Sequence, residues 1–296
     1  MGTLGPVSEL PGDIAAVRRQ LAEAGYLADE AIATAVFLAG ALAKPVLVEG
    51  PAGTGKTELA KAVAAMTGAR LIRLQCYEGL DESRALYEWD YRKQLLHIQA
   101  AATAPGGGEG EGELFSERFL LARPLLEAIR APEPVVLLID EVDRLEAETE
   151  ALLLEVLSDY QVSIPELGTV AATRVPLAFL TSNASRELSE ALRRRCLYLP
   201  LDYPGLERER DIVLARVPGV SERLADQVAR VVRSLRALDL HKAPSVSETL
   251  DWARTLVVLG VAEVDAERVG ETLPLLLKHR GDLAKAASSL AASGID

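Results

Sequence analysis

The chain has 296 residues, 44 acidic against 32 basic side chains, and a formal charge of -12. That balance argues against broad, non-specific attraction to nucleic acid, which relies on many lysine and arginine contacts to phosphate. Apolar residues make up 49% of the chain, enough for one large domain or two, and there are only two cysteines. Cys76 and Cys196 stand far apart in no C-x-x-C spacing, which speaks against a disulfide framework or a zinc site and for reduced thiols in the cytoplasm. The start, MGTLGPVSELPGD, lacks the basic residues and apolar run of a secretory signal, and Pro6 stands where a myristoylation site wants Ser or Thr. The longest charge-free apolar stretch, Ala31 to Ala43, falls short of the ~20 residues that span a bilayer. A soluble, cytoplasmic protein with no membrane partner is expected.

Asp13 opens a helical pattern that runs through Ala24 and stops at Gly25, and a second helix covers Asp29 to Leu42. "PVLVEG" (45–50) reads as a short buried strand feeding a glycine loop, followed by a helix from Lys56 to Met66 that stops at Gly68. "RLIRLQC" (70–76) reads as a strand. "APGGGEGEGE" (104–113) is low in complexity and is expected to be mobile. "PVVLLIDE" (134–141) is a continuous apolar run of the kind buried on both faces of a sheet. "EAETEALLLEVLSDY" (146–160) is an amphipathic helix, and a hairpin is expected at about 161–175. "VPLAFLTSN" (175–183) and "CLYLPL" (196–201) are two more buried strands. Strands alternating with helices imply a parallel sheet covered on both sides. "DYPG" (202–205) ends the alternation, and only helical segments follow: 206–216, 221–238, 246–259, and 265–291 with a break near Pro274 or Gly281. The expected architecture is therefore an α/β domain over 1–204, with a five-stranded parallel sheet flanked by helices, insertions at about 77–130, and a smaller α-helical lid over 205–296.

"GPAGTGKT" (50–57) fits G-x-x-x-x-G-K-[ST], with the strand before it and the helix after it that the motif requires. Gly50, Gly53 and Gly55 let the backbone of the loop formed by Gly50, Pro51, Ala52, Gly53, Thr54, Gly55, Lys56, Thr57 and Glu58 wrap around phosphate with its available N–H groups turned inward, aided by the helix dipole. Lys56 would reach the β- and γ-phosphates and the Thr57 hydroxyl would bind Mg²⁺. A glycine-rich turn with a chance lysine is the plainer alternative, and the flanking elements count against it. Asp140, at the end of a buried strand, can hold the Mg²⁺ shell, and Glu141 can polarise an attacking water. Together the two motifs point to nucleoside triphosphate hydrolysis. Asn183 could orient that water beside the γ-phosphate, or cap a helix near 187–194 with Ser182 or Ser185 as rival caps. "LRRRC" (192–196) is a nucleic-acid patch, a solvated helix end or a tool aimed at one anion.

With "GPAGTGKT", "LLIDEVDR" and "LTSN" in that order and helices after "DYPG", the chain resembles the AAA+ ATPases. More narrowly it is similar to the MoxR family. Through "LSEALRRRCLYLPLDYP" (188–204) and "APSVSETLDWARTL" (243–256), it resembles the branch associated with maturation of molybdenum–copper carbon monoxide dehydrogenase. The resemblance implies ATP and Mg²⁺ as cofactors and a ring, a hexamer, with ATP sites between neighbours. It makes Lys56 and Thr57 the Walker A pair, Asp140 and Glu141 the Walker B pair, and Asn183 sensor 1. It also makes Arg195, directly before the last core strand, the finger that enters the neighbour's site, with Arg194 as runner-up. Guanidinium suits that task because it is permanently charged and forks onto phosphate oxygens. The chain departs from the family at sensor 2: Ser247 stands at about the place of the usual lid arginine, and Arg254 is the candidate replacement. The resemblance further implies a partner with a von Willebrand factor A domain and, as client, a molybdenum hydroxylase awaiting metal and sulfur. Tyr87, Trp89, Tyr91 and Phe115 are candidates for gripping that client, although the alternation of the first three also fits one packed strand face. The expected activity is an ATP-hydrolysing remodelling chaperone. A nucleotide-gated scaffold with slow hydrolysis is the alternative, and a nucleic-acid motor fits the charge least.

Overall fold

The computed structural model describes residues 10–103 and 114–293. The glycine-rich stretch 104–113 and the N-terminal residues up to Glu9 lie outside them. Helix α1 (Ile14–Glu23) is capped by the Asp13 side chain and α2 (Glu30–Leu42) by Asp29, whose carboxylate accepts from Ile32 N at 2.9 Å. Strand β1 (Val46–Glu49), helix α3 (Lys56–Thr67) and strand β2 (Arg70–Gln75) follow.

The insertion begins with a short helix α4 (Glu82–Ala85), β3 (Tyr87–Trp89) and α5 (Tyr91–Thr103). After a 3₁₀ turn at Glu117–Phe119 comes β4 (Leu120–Ala122), antiparallel to β3, then α6 (Pro124–Arg130). The expected strand face of Tyr87, Trp89 and Tyr91 is cut short. Asp90 accepts from Lys93 N at 2.9 Å and starts a helix, so Trp89 is buried against the Phe115 ring while Tyr91 is 64% exposed. A helix cap wins over a period-2 pattern because it satisfies a backbone N–H that the strand would leave open.

Strand β5 (Val135–Asp140) is buried along its whole length, as is β8 (Leu177–Ser182). Between them lie α7 (Ala147–Asp159) and a hairpin of β6 (Gln161–Ile164) and β7 (Gly168–Ala171). After α8 (Glu190–Arg195), β9 (Leu197–Pro200) completes a five-stranded parallel sheet of order β2-β5-β8-β1-β9. Its registers set Gln75 opposite Asp140, and Glu49 opposite both Ser182 and Pro200, so the carboxyl ends of the strands finish together. In open α/β sheets that is the edge where ligands bind.

The helical part consists of α9 (Leu206–Arg216), α10 (Glu222–Arg236), α11 (Val246–Val258), α12 (Ala266–Leu276) and α13 (Arg280–Ser293). Leu224, Val228, Val232 and Leu235 recur on one face of α10 and are buried with Trp252 and Leu256. The expected helix over 265–291 is broken after Leu276, between Pro274 and Gly281. By compactness the chain divides into two units, Met1–Glu49 with Thr57–Pro200, and Gly50–Lys56 with Leu201–Asp296. Among the described residues no helix is long and apolar enough to cross a membrane.

Candidate nucleotide site

The glycines of the loop after β1 answer to two demands. Gly53 and Gly55 have φ of 75° and 96°, the left-handed region that side chains with a Cβ avoid. Gly50 and Gly53 are also crowded: a Cβ on Gly50 would stand 1.9 Å from the Leu201 carbonyl oxygen, and one on Gly53 2.4 Å from Ser245 Cβ. The Thr54 hydroxyl donates to Pro51 O at 2.9 Å. Lys56 is buried, and its ammonium donates to Gly50 O and Pro51 O, each at 2.7 Å. Ala52 is exposed, and Glu58 pairs with Lys61 at 2.7 Å.

The start of α11 adjoins this loop. Val246 N–H donates to Gly53 O at 3.2 Å. Ser245 and Glu248 form a reciprocal capping box, with Ser245 N donating to Glu248 Oε2 at 2.7 Å. Ser247, at about the place of the usual lid arginine, lies in the first turn of α11. Arg254, its candidate replacement, is held by Asp251 at 2.9 Å on its own helix.

The carboxylates cluster at the end of β5. The Thr57 hydroxyl donates to Asp140 Oδ1 at 3.0 Å, and the Thr181 hydroxyl donates to the same oxygen. On the other oxygen, Arg73 Nη2 lies at 2.5 Å. A hydroxyl beside a carboxylate is the donor set a hard cation such as Mg²⁺ takes from a protein when phosphate and water complete its shell, so Thr57 and Asp140 fit that ion. β5 stops at Asp140, one residue short of the expected end, because Glu141 turns into the left-handed region with φ 59°. For a residue with a Cβ this costs on the order of 1–2 kcal/mol. Glu141 N–H donates to Thr181 Oγ1 at 2.9 Å and helps to hold the turn. The Glu141 carboxylate accepts from Gln75 Nε2 at 3.2 Å and pairs with Arg144 Nε at 2.9 Å.

Asn183 follows β8 directly, and its N–H donates to Asp143 Oδ1 at 3.3 Å. It does not cap the next helix, and neither do Ser182 and Ser185. Ser189 does, accepting from Leu192 N at 3.3 Å. Asp143 is buried, which by itself would raise its carboxyl, but the Ser185 hydroxyl and N–H, together with Asn183 N–H, hold it below its ordinary value. Burial pushes both thiols up to about 12, Cys76 with added repulsion from Asp140, Asp143 and Glu141, so neither is poised as a nucleophile.

The three arginines of "LRRRC" part company. Arg193 pairs with Glu49 at 3.4 Å and lies over the Tyr198 ring, which gives it a side-chain role beyond the helix dipole. Arg194 pairs with Glu190 one turn back. Arg195 is exposed and, among the described residues, its side chain has no hydrogen-bond or ion-pair partner.

Arg73, Gln75, Asp143 and Thr181 are the residues that motif reading passes over. Asp143 and Thr181 lie inside the quoted stretches "LLIDEVDR" and "LTSN" without being singled out, and Arg73 and Gln75 stand at alternate positions of the strand "RLIRLQ".

The profile of the ATPase family associated with various cellular activities (AAA) matches residues 46–199. The chain is 25% identical over 241 residues to the denitrification regulatory protein NirQ of Pseudomonas aeruginosa, covering 78% of this chain and 83% of that protein. It is 26% identical over 197 residues to fidgetin-like protein 1 of Xenopus tropicalis, covering 64% of this chain and 25% of that protein. Among solved structures, a mutant of Thermotoga maritima RuvB is similar in fold, with a TM-score of 0.50 and 18% identity over 83% of this chain and 68% of that one.

Proposed function

We propose that this chain, which belongs to the AAA family of ATPases, uses ATP hydrolysis as part of a ring to remodel a client protein. The observation that carries the reading is the hydrogen bond from Thr57 to Asp140, with Glu141 turned out of the strand immediately beyond. The loop N–H groups and Lys56 would hold the phosphates, Lys56 exchanging the carbonyls of Gly50 and Pro51 for β- and γ-oxygens. Thr57 and Asp140 would hold Mg²⁺, which when bound neutralises charge on the phosphates. Glu141, once released from Gln75 and Arg144, would take a proton from water as that water adds to the γ-phosphorus and the bond to the β–γ bridging oxygen breaks. Asn183 would orient the water.

Arg195 is our choice for the residue that a neighbouring subunit presents, in a hexamer. The side chains of Arg193 and Arg194 are engaged within their own chain, and among the described residues that of Arg195 is not. An arginine supplied in trans is worth ~10³-fold or more in related phosphoryl transfers. Similarity to a protein titled a denitrification regulator supports a regulatory or remodelling role. The finer reading is a MoxR-type chaperone acting with a von Willebrand factor A domain partner on a molybdenum hydroxylase. It rests on the stretches 188–204 and 243–256.

The test is ATP hydrolysis as a function of protein concentration, with mass measured alongside, for wild type and Arg195→Ala. Specific activity should rise as the ring assembles, and the variant should assemble but lose at least ~10²-fold in rate. Normal hydrolysis by the variant, or activity flat with concentration in an assembled wild type, would remove the finger from the reading. A second reading, a slowly hydrolysing scaffold, draws on the hold that Gln75 and Arg144 keep on Glu141. Turnover that stays slow in the assembled ring with its partner added would favour it.

A further inference from the structure

β2 is an edge strand of the sheet, and its alternation places Arg73 and Gln75 on one face. Arg73 Nη2 lies 2.5 Å from Asp140 Oδ2 and 2.5 Å from Gln75 Oε1. Gln75 Nε2 lies 3.2 Å from Glu141 Oε2. The chain of contacts Asp140–Arg73–Gln75–Glu141 therefore joins the two carboxylates of the proposed site through one guanidinium and one amide. The amide has only one orientation that serves both ends: its oxygen meets the guanidinium donor and its nitrogen meets the carboxylate.

Three features mark the Arg73–Asp140 pair as exchangeable. The Asp140 side chain is 5% exposed but that of Arg73 is 47% exposed, so the cation approaches from the solvent side. Arg73 touches the carboxylate through a single nitrogen rather than the two-pronged fork that makes such pairs strong and rigid. Three acids, Asp140, Glu141 and Asp143, fall within four positions, so Asp140 gains from a cation beside it whenever no other is bound.

We infer that Arg73 is a built-in counter-cation that neutralises Asp140 until a divalent cation does. The inference rests on the proposed nucleotide site. Two cations cannot share one carboxylate without mutual repulsion, so Arg73 gives way when the dication arrives. Arg73 is thus a positioning residue, acting on the reaction through Asp140.

The experiment is equilibrium binding of a fluorescent, non-hydrolysable ATP analogue over a Mg²⁺ titration, for wild type, Arg73→Met and Arg73→Lys, with melting temperatures in EDTA and in saturating Mg²⁺ and analogue. In Arg73→Met the Mg²⁺ concentration for half-saturation should fall about threefold to tenfold, since a competing cation at a partly exposed pair has been removed. Affinity for the analogue at saturating Mg²⁺ should be unchanged. The variant should melt below wild type in EDTA, and the gap should close in saturating Mg²⁺ and analogue. Arg73→Lys, which keeps the charge, should return the Mg²⁺ dependence toward wild type. An unchanged Mg²⁺ dependence, or a melting deficit equal in both conditions, would make the pair merely structural and overturn the inference. Weaker binding at saturating Mg²⁺ would make Arg73 a phosphate ligand and overturn it as well. Should wild type bind no analogue at any Mg²⁺ concentration, the nucleotide-site reading itself would fall.

Discussion

In the helical unit, Arg236 grips Glu209 with both arms of its guanidinium, at 2.6 and 2.7 Å. Its third nitrogen donates to Pro244 O at 2.8 Å, the Tyr203 ring lies 4.4 Å from the guanidinium carbon, and the Thr249 hydroxyl donates to Glu209 Oε1 at 2.9 Å. In the α/β unit, Arg73 reaches Asp140 with one nitrogen and leaves half of its side chain in water. Both are arginine–carboxylate pairs with the acid buried. What separates them is how completely the cation is used: Arg236 ties α9 to α10 and to the segment before α11, whereas Arg73 has N–H groups to spare and solvent to move into. A fully satisfied buried pair acts as a clamp, and a half-satisfied one beside a cluster of acids is available for exchange.

The largest effect that would sharpen this contrast belongs to the exchangeable side. Glu141→Gln keeps the size of the side chain but cannot accept a proton from water. Hydrolysis should fall ~10²–10⁴-fold, with ATP affinity retained, as read by steady-state phosphate release beside equilibrium binding. Wild-type turnover in the variant would take the base assignment away from Glu141.

Next comes the clamp. Arg236→Ala leaves Glu209 charged, buried and without its cation, which costs about 3–5 kcal/mol for pairs of this kind. Urea unfolding followed by Trp252 fluorescence in a Trp89→Phe background reports on the helical unit alone, because these are the only two tryptophans in the chain. A loss under about 1 kcal/mol, the range of exposed pairs, would break the comparison, since the pair would then behave like one at the surface.

The smallest effect concerns a site carboxylate held without an arginine. Asp143 has its folded-state pKa lowered by hydroxyl and N–H donors. Its contribution to stability is therefore present at neutral pH, begins to fade as the pH falls through the ordinary carboxyl value of 3.8, and is lost below the lowered one. Asp143→Asn, whose amide does not titrate, should be less stable than wild type near neutrality, and the gap should narrow between about pH 6 and about pH 3 in urea titrations. A gap that widens with acid would reverse the sign assigned to this group.

The phosphate loop was legible because its chemistry is local: eight consecutive residues carry the glycines, the lysine and the threonine, so one stretch of chain specifies the bend and the charge together. The apolar runs that form β5 and β8 were legible for a similar reason, since strands buried on both faces leave few other readings. The caps were less so. Asn183, Ser182, Ser185 and Ser189 all have the chemistry to end a helix, and only the path of the chain after β8 selects Ser189 and leaves Asn183 beside Asp143. Tyr91 shows the reverse error, where alternation predicted a strand face and the cap at Asp90 ended it.

The order of motifs along the chain, taken alone, determined the parallel α/β architecture, the loop for phosphate and the pair of carboxylates beyond β5, because each follows from the period and chemistry of a short segment. Only the tertiary structure decided what surrounds those groups. The registers of β2 and β8 against β5 bring Arg73, Gln75 and Thr181 to Asp140 and Glu141. The fold of α8 against β9 uses Arg193 and leaves Arg195 exposed. Those contacts join residues dozens of positions apart through parallel strand pairing, and no local pattern in the sequence records which strands lie side by side.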